Sequence, residues 1–343
     1  MYTAEYEGIN SFLVGASSLL LKEGIKRKTG GFNCIELSEP FMFMLSNPTS
    51  RLVTIAERKW NPILAYAESL WLALGRNDLE FIGHYLKNMK NFSDDGFYMR
   101  GGYGPRLRKY TGVTNDYKIR NPFNVDISKL NNSEVDQFSY ISKNFNKDIN
   151  TRQAIISIGD PPKDCFDNYG CLKETEDFPC TRLLHFQKHS IEDKLNLTVY
   201  MRSNDFMWGA SAVNIFNYTF IQEYFAQILN LRVGIYYHIA NNFHYYEEHS
   251  KRINDISNAD IPDDNGFEYS KSFNSLSEFD EKVKNLYKEE EKLRTNQSNG
   301  IVEFEDDFFN DWYKTFYSYN TKKRTEFKNP VLTQLFNKYY THE

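Results

Sequence analysis

Asn61-Pro62 opens a run in which Ile63, Leu64, Tyr66, Ala67, Leu70, Trp71 and Leu74 fall at helical spacing. That pattern predicts a buried helix with Asn61 as N-cap, proline in the first turn and Gly75 ending it. From Asn77 the period repeats through Leu79, Ile82, Leu86 and Met89, predicting a second helix, and residues 133–144 predict a third. The period then changes: residues 154–158, 183–187 and 195–201 are short, β-branched or alternating, and read as strands. In the last of these Leu195, Leu197, Val199 and Met201 alternate with Asn196, Thr198 and Tyr200, so one face should be buried. Residues 213–229 return to helical spacing and 233–239 to a strand pattern. Beyond His249, charged runs such as Glu289-Glu290-Glu291 alternate with the aromatic cluster Phe308, Phe309, Trp312, Tyr313 and Phe316. This predicts a mostly helical appendage, with the polar residues 250–267 as a loop or linker. The expected class is α/β (α+β), with a mixed sheet flanked by helices over residues 1–249 and the appendage, 250–343, packed on it. No internal repeat or glycine-rich phosphate loop is visible.

A chain of 343 residues has room for one large domain or two ordinary ones. Its mean hydropathy is −0.62 and no apolar run approaches the ~20 residues a bilayer needs, so no membrane partner is expected. The apolar stretch 11–21 is short, interrupted by serines and preceded by Glu5 and Glu7, unlike a signal peptide. Cys34, Cys165, Cys171 and Cys180 are too few for a disulfide scaffold, contain no C-x-x-C pair and match no common zinc spacing. A reducing cytoplasm and no metal are therefore expected. A net charge of −5 argues against a general nucleic-acid binder, while local arginines still admit small anionic ligands.

Three segments carry candidate chemistry. Asp177-Phe178-Pro179-Cys180-Thr181 puts a cysteine behind a proline at a strand entrance, placed to present a thiolate to a cleft; taken alone, it reads first as a half-buried structural cysteine. Tyr200-Met201-Arg202-Ser203-Asn204-Asp205 sets arginine beside serine at a strand end, which suits a phosphate or, equally, a surface ion pair between Arg202 and Asp205. Asn242-Phe243-His244-Tyr245-Tyr246 places His244 and Tyr246 on one face of extended backbone, able to share a sugar hydroxyl, although a structural histidine would look the same.

In order and spacing these segments resemble the thymidylate synthase family, which includes the pyrimidine-nucleotide hydroxymethylases. The family's proline-cysteine before a strand ending in glutamine resembles Pro179-Cys180 to Gln187. Its Arg-Ser-x-Asp, Gly and Asn-Ile-x-x-Tyr resemble Arg202 to Asp205, Gly209 and Asn214-Ile215-Phe216-Asn217-Tyr218, and its His-x-Tyr resembles His244-Tyr245-Tyr246. Upstream, Glu68-Ser69-Leu70-Trp71 resembles the helix bearing the active-site glutamate, and Gly102-Tyr103-Gly104-Pro105 the Tyr-Gly turn. Asp136-Gln137 and Thr151-Arg152-Gln153 resemble segments leading to arginines exchanged across a dimer. Lys26-Arg27-Lys28-Thr29-Gly30 resembles the phosphate loop, with Arg27 as candidate ligand, and Arg58 could hold folate or phosphate.

The resemblance implies a homodimer that uses methylenetetrahydrofolate and a pyrimidine nucleoside monophosphate. Cys180 would add to C6 of the base, with Glu68, Tyr103 and Asp205 serving catalysis. Arg202, Ser203, Asn214, His244, Tyr246, Arg27 and the partner-contributed Arg152 would bind nucleotide, and Asp205, Gly209 and Arg58 the folate. Several departures stand out. Thr181 occupies the place of a usual histidine, Arg152-Gln153 that of a doubled arginine, and one extra residue lies between Gly209 and Asn214. An asparagine at 214 suits the N3–C4 edge of uracil, where cytosine-specific hydroxymethylases usually carry aspartate. Residues 88–100 contain Phe92, Phe97 and Tyr98 but no tryptophan, and the chain ends in Tyr339-Tyr340-Thr341-His342-Glu343 rather than a short apolar closure. A wetter site is expected to add water to the one-carbon unit, giving a hydroxymethyl product; a methylating synthase is the alternative, and a non-catalytic nucleotide-binding module a third reading.

Overall fold

The computed structural model describes residues 1–111, 134–298 and 300–340. The chain begins β1 (Tyr2–Tyr6), α1 (Ile9–Glu23), β2 (Ile25–Thr29), β3 (Phe32–Glu36), β4 (Phe41–Leu45), α2 (Pro62–Ala73), α3 (Leu79–Tyr85) and α4 (Tyr103–Arg108). Its middle comprises β5 (Tyr110–Thr111), β6 (Glu134–Val135), α5 (Gln137–Lys147), β7 (Ile155–Ser157), α6 (Pro161–Asp164), β8 (Thr181–Lys188), β9 (Lys194–Met201) and β10 (Asn204–Asp205). A π-helical stretch, Phe206–Asn214, leads into α7 (Ile215–Ile228), β11 (Arg232–Ala240) and β12 (Phe243–Tyr246). The remainder is α8 (Ser250–Ser257), α9 (Leu276–Arg294), α10 (Asp307–Thr321) and α11 (Pro330–Tyr340).

A six-stranded mixed sheet runs in the order β1-β4-β11-β9-β8-β7, and a four-stranded sheet in the order β10-β12-β3-β2. The alternation in β9 does what the pattern predicts: Leu195, Leu197, Val199 and Met201 are buried against α7, while Thr198 and Tyr200 lie on the half-buried outer face. Pro62 starts α2 as expected, because its fixed φ suits the first turn and its missing N–H costs the helix nothing there. Asn61 sits at the N-cap, but its side chain accepts a hydrogen bond from the Tyr340 hydroxyl instead of capping. Gly75, at φ +70°, takes the left-handed turn past the helix end.

Some boundaries differ from the sequence reading. The second helix is capped by Asp78, not Asn77, and stops at Tyr85; Met89 lies in a following 3-10 turn. The third begins at Gln137, capped by the Asp136 carboxylate, and residues 112–133 lie outside the described part. Residues 250–267 are not simply a linker. Ile253 and Ile256, one turn apart, give Ser250–Ser257 an apolar stripe that buries fully, with α8 lying against α1. Asp264 then accepts hydrogen bonds from the backbone N–H groups of Gly8, Asn10 and Ser11, at 3.0, 2.9 and 2.8 Å, supplying the acceptor that the start of α1 lacks.

The appendage is helical, as expected, and braces two site-bearing helices. Trp312 of α10 is fully buried and donates its indole N–H to the Tyr66 carbonyl of α2 at 3.1 Å. Asp280 of α9 makes a bidentate ion pair with Arg108 of α4, both contacts at 2.7 Å.

Candidate active site

A cleft of about 250 Å³ opens where α2, the turn before α4, the loop entering β8 and the end of the π-helical stretch meet. Glu68, Trp71, Tyr103, Asp177, Cys180 and Asn214 line it, with Met89, Phe92 and Met99 along one wall. No residue of 250–340 is among the lining residues, so the appendage supports this cleft from behind. The cleft thus gathers Cys180, Glu68, Tyr103 and Asn214, which are far apart in sequence.

Cys180 is held by Arg202. The guanidinium donates to the carbonyls of Pro179 at 3.1 Å and Phe178 at 2.8 Å, stacks on the Phe178 ring and reaches the thiol Sγ at 3.6 Å. Burial pushes the thiol above its ordinary range, with the charges of Asp177 and Asp205 adding to the rise, while Arg202 and Arg182 pull it down. The arginine favours the thiolate, but burial outweighs it. Thr181 donates its backbone N–H to the Tyr103 hydroxyl at 3.2 Å and joins its own hydroxyl to that of Tyr218. Burial, reinforced by the charge of Cys180, pushes the Tyr103 phenol up to about 12.

Burial raises Glu68 to about 7, opposed by a hydrogen bond from Asn217, whose amide oxygen is held by the Ser69 hydroxyl at 2.8 Å. Asp177, at the cysteine loop, accepts the Gly101 N–H at 2.7 Å and so ties that loop to the turn bearing Tyr103; burial lifts it to about 6.

Behind the cysteine lies a polar cluster. The Ser203 hydroxyl donates to Asn242 Oδ1 at 3.2 Å, His244 Nδ1 bonds the same oxygen at 2.7 Å, and Asn242 Nδ2 donates to Glu36 at 2.9 Å. Burial lowers the His244 pKa, favouring the neutral imidazole. Tyr246 packs edge-on to Phe32 and feels the charges of Asp205 and Cys180. Asp205 accepts the Trp208 N–H at the start of the π-helical stretch; its other carboxylate oxygen is buried with no hydrogen-bond partner, and burial raises the group to about 6.

Arg202, Ser203, Asp205, His244 and Tyr246 are not among the cleft-lining residues, and neither are the remaining candidates. Arg58 is buried and donates to Ser211 Oγ at 2.7 Å and the Met207 carbonyl at 2.6 Å, so it is a strut of the π-helical stretch and not an open anion ligand. Arg27 lies on β2 with its guanidinium exposed and paired to Glu36 at 2.7 Å. Arg152 is exposed just before β7. Gly209 packs against two amides: a Cβ there would lie 2.6 Å from Asn204 Nδ2 and 2.7 Å from Asn214 Oδ1. Gly209 and Asn214 both lie in the π-helical stretch, whose hydrogen bonds span one residue more than those of an α-helix, with Asn214 at the head of α7.

Sequence reasoning did not single out Asn204, Asn217, Asn242, Asp177 or Glu36 as site residues. Asn217 had a signal, since it falls three residues after Asn214 and so shares its helix face. Among the described residues no group of three or more metal-ligating side chains is gathered, and no helix is long and apolar enough to cross a membrane.

The chain is 35% identical over 246 residues to the deoxyuridylate hydroxymethyltransferase of Bacillus phage SP01, covering 72% of this chain and 59% of that protein. It is 30% identical over 226 residues to the protein of the same name from Pseudomonas phage M6, covering 66% and 56%. A thymidylate synthase of Mycoplasma genitalium is 26% identical over 250 residues, covering 69% and 81%. The matched stretch thus spans little more than half the length of the two phage relatives. Because the family model for thymidylate synthase matches residues 19–294, most of the chain, this protein belongs to the thymidylate synthase family.

Proposed function

We propose that this protein transfers a one-carbon unit from methylenetetrahydrofolate to C5 of a uracil-type nucleoside monophosphate, and releases a hydroxymethyl product. The observation that carries the reading is the cleft that unites Cys180, Glu68, Tyr103 and Asn214 with Arg202 at 3.6 Å from the thiol. The two phage relatives named above support the hydroxymethyl product and the uracil base.

In this reading Cys180 Sγ adds to C6 of the base, and Arg202 stabilises the thiolate as it forms while its remaining N–H groups and the Ser203 hydroxyl hold phosphate. The addition makes C5 nucleophilic, so that C5 would bond the one-carbon unit and lose its proton as the folate nitrogen leaves with the carbon–nitrogen electron pair, and water would then add to the resulting exocyclic methylene while the C6–S bond breaks. Glu68, poised near neutrality, exchanges a proton at O4. The Tyr103 hydroxyl already accepts the Thr181 N–H, so its own proton is available for relay at C5. Elimination of the thiolate from C6 restores the aromatic base. His244 and Tyr246 hold the sugar.

Methylenetetrahydrofolate supplies the one-carbon unit at the oxidation level of formaldehyde. The cleft lining fits it in one respect, since Trp71, Met89 and Phe92 provide an apolar wall for a heterocycle; Asp205 lies outside that lining, its buried Oδ2 3.9 Å from His244 Nε2. Gly209 keeps the backbone beside Asp205 close. Phe92 is itself 52% exposed and no described residue of the appendage lines the cleft, which favours water over hydride as the nucleophile that adds to the one-carbon unit.

Dimerisation belongs to the same proposal. The outer face of the six-stranded sheet carries half-buried Leu183, His185, Tyr200, Tyr237 and Ile239, and a second copy packed there could bring Arg152 to the phosphate. Residues 1–249 would then be catalytic and 250–343 a buttress, in a reducing compartment that suits four free cysteines.

The test is mass spectrometry of products after incubation with methylenetetrahydrofolate and, separately, dUMP, dCMP, UMP and CMP. A hydroxymethyl gain on dUMP with tetrahydrofolate released is expected. A methyl gain with dihydrofolate would make the protein a synthase, and absence of any product would favour a nucleotide-binding module.

A further inference from the structure

Asn214 faces the cleft, but its side chain is an amide, and an amide offers either a carbonyl or an NH2 group depending on which way it is turned. A uracil edge presents a C4 carbonyl beside N3–H, whereas a cytosine edge presents a C4 amino group beside a bare N3. The orientation of one amide therefore determines which base is met by complementary groups and which by like against like.

That orientation has a visible cause. Asn204 is 1% exposed, and its Nδ2 donates to Asn214 Oδ1 at 2.9 Å. The bond turns the Asn214 carbonyl toward Asn204 and leaves the NH2 group without a hydrogen-bond partner among the described residues, at the cleft. Asn204 is itself fixed by its backbone, through its N–H to the Asn242 carbonyl at 2.8 Å and its pairing with Phe243. Gly209 leaves room for the pair, since a side chain there would strike both amides. Reversing both amides would keep a single bond, but it would turn the Asn204 NH2 toward the place where its carbonyl now finds no partner. Buried donors are left unpaired more rarely than buried carbonyls, so the arrangement observed is the favoured one.

We infer that Asn204 is a specificity-positioning residue, which holds the Asn214 amide with its NH2 toward the C4 carbonyl of a uracil-type base and thereby discriminates against cytosine. This rests on the proposal that Asn214 reads the base. Asn204 touches no substrate and acts through Asn214.

The test is equilibrium binding of dUMP and of dCMP, by calorimetry, to the unaltered protein and to Asn204→Ala, Asn204→Asp and Asn214→Asp. The quantity read is the ratio of the two dissociation constants, which a general loss of structure would not shift selectively. Asn204→Ala frees the amide to turn, and the preference for dUMP should fall about tenfold, since a site that leaves polar groups unpaired against the wrong ligand discriminates by factors of this size or more. Asn204→Asp can only accept, so it should draw the Asn214 NH2 toward itself and weaken or invert the preference. If Asn204→Asp does not fold, Asn204→Ala carries the test alone. An unchanged ratio in Asn204→Ala, with Asn214→Asp shifting it, would overturn the role of Asn204 and leave Asn214 as the base reader. An unchanged ratio in Asn214→Asp, or no nucleotide bound by the unaltered protein, would remove the underlying reading and this inference with it.

Discussion

Replacing Glu68 with glutamine should make the protein more stable at alkaline pH while destroying its chemistry. Glu68 ionises near its ordinary value of 4.5 when the chain is unfolded, and burial in the cleft lifts it to about 7 in the fold. A carboxyl whose folded pKa is raised contributes fully to stability below 4.5; that contribution is lost as pH rises, and the loss is complete once the folded group has ionised. The displacement of about 2.5 pH units corresponds to about 3 kcal/mol at 1.36 kcal/mol per unit. Glu68 borders an open cleft, so solvent screening brings the expected cost down to about 1–3 kcal/mol. Glutamine imitates the protonated form at every pH. Urea denaturation of both proteins should therefore show near-equal stability at pH 4.5 and an advantage of about 1–3 kcal/mol for Glu68→Gln at pH 8.5. Taking the difference between the two proteins removes the contributions of Asp177 and Asp205, which titrate in the same window. A difference that stays flat between these pH values, or favours the wild type at pH 8.5, would refute the claim that the fold holds a proton on Glu68.

Further outcomes follow from the same geometry. Cys180→Ser should lower turnover at least about a thousandfold while nucleotide affinity, measured by calorimetry, stays within about threefold; a fully active variant would exclude the covalent route. Arg202→Ala should raise nucleotide KM and lower kcat together, because one side chain clamps the loop of Phe178 and Pro179 and also faces the thiol. Unchanged steady-state kinetics would remove it from the site. Asp264→Ala should destabilise the fold by about 3 kcal/mol in urea denaturation, since it strips the start of α1 of a carboxylate that serves Gly8, Asn10 and Ser11. A loss below about 0.5 kcal/mol would mean that water serves these groups equally well.

Much of the fold was legible where burial imposes a period. The alternating residues of β9 announce themselves because they bury one side against a neighbour, and α2 because it is buried nearly all round, with Glu68 alone among its residues not buried. Other elements escaped, among them α1 and β4, although their burial follows helical and alternating periods. β2 is exposed throughout, and α8 is read as linker because two isoleucines are a faint signal among polar residues. In the cleft, Cys180, Glu68, Tyr103 and Asn214 were found through segments of unusual composition in a familiar order. The asparagines around them were missed because their value lies in partners distant in sequence: Asn242 matters through Glu36, 206 residues away, and local spacing cannot reveal such a bond. For Arg58 the sequence could not show that its guanidinium holds the Ser211 hydroxyl and the Met207 carbonyl, 153 and 149 residues away.

The π-helical stretch Phe206–Asn214 also works as a vernier. Each residue added to an ordinary α-helix would turn everything downstream by about 100°, enough to swing Asn214 away from the cleft. A wide-wound segment can take up such a residue within its own turns, and with Arg58 pinned across it the head of α7 is held in place. Loop length and aim are thereby uncoupled, and the outer rim carrying the exposed Trp208 can be rebuilt without re-pointing the side chain at its far end.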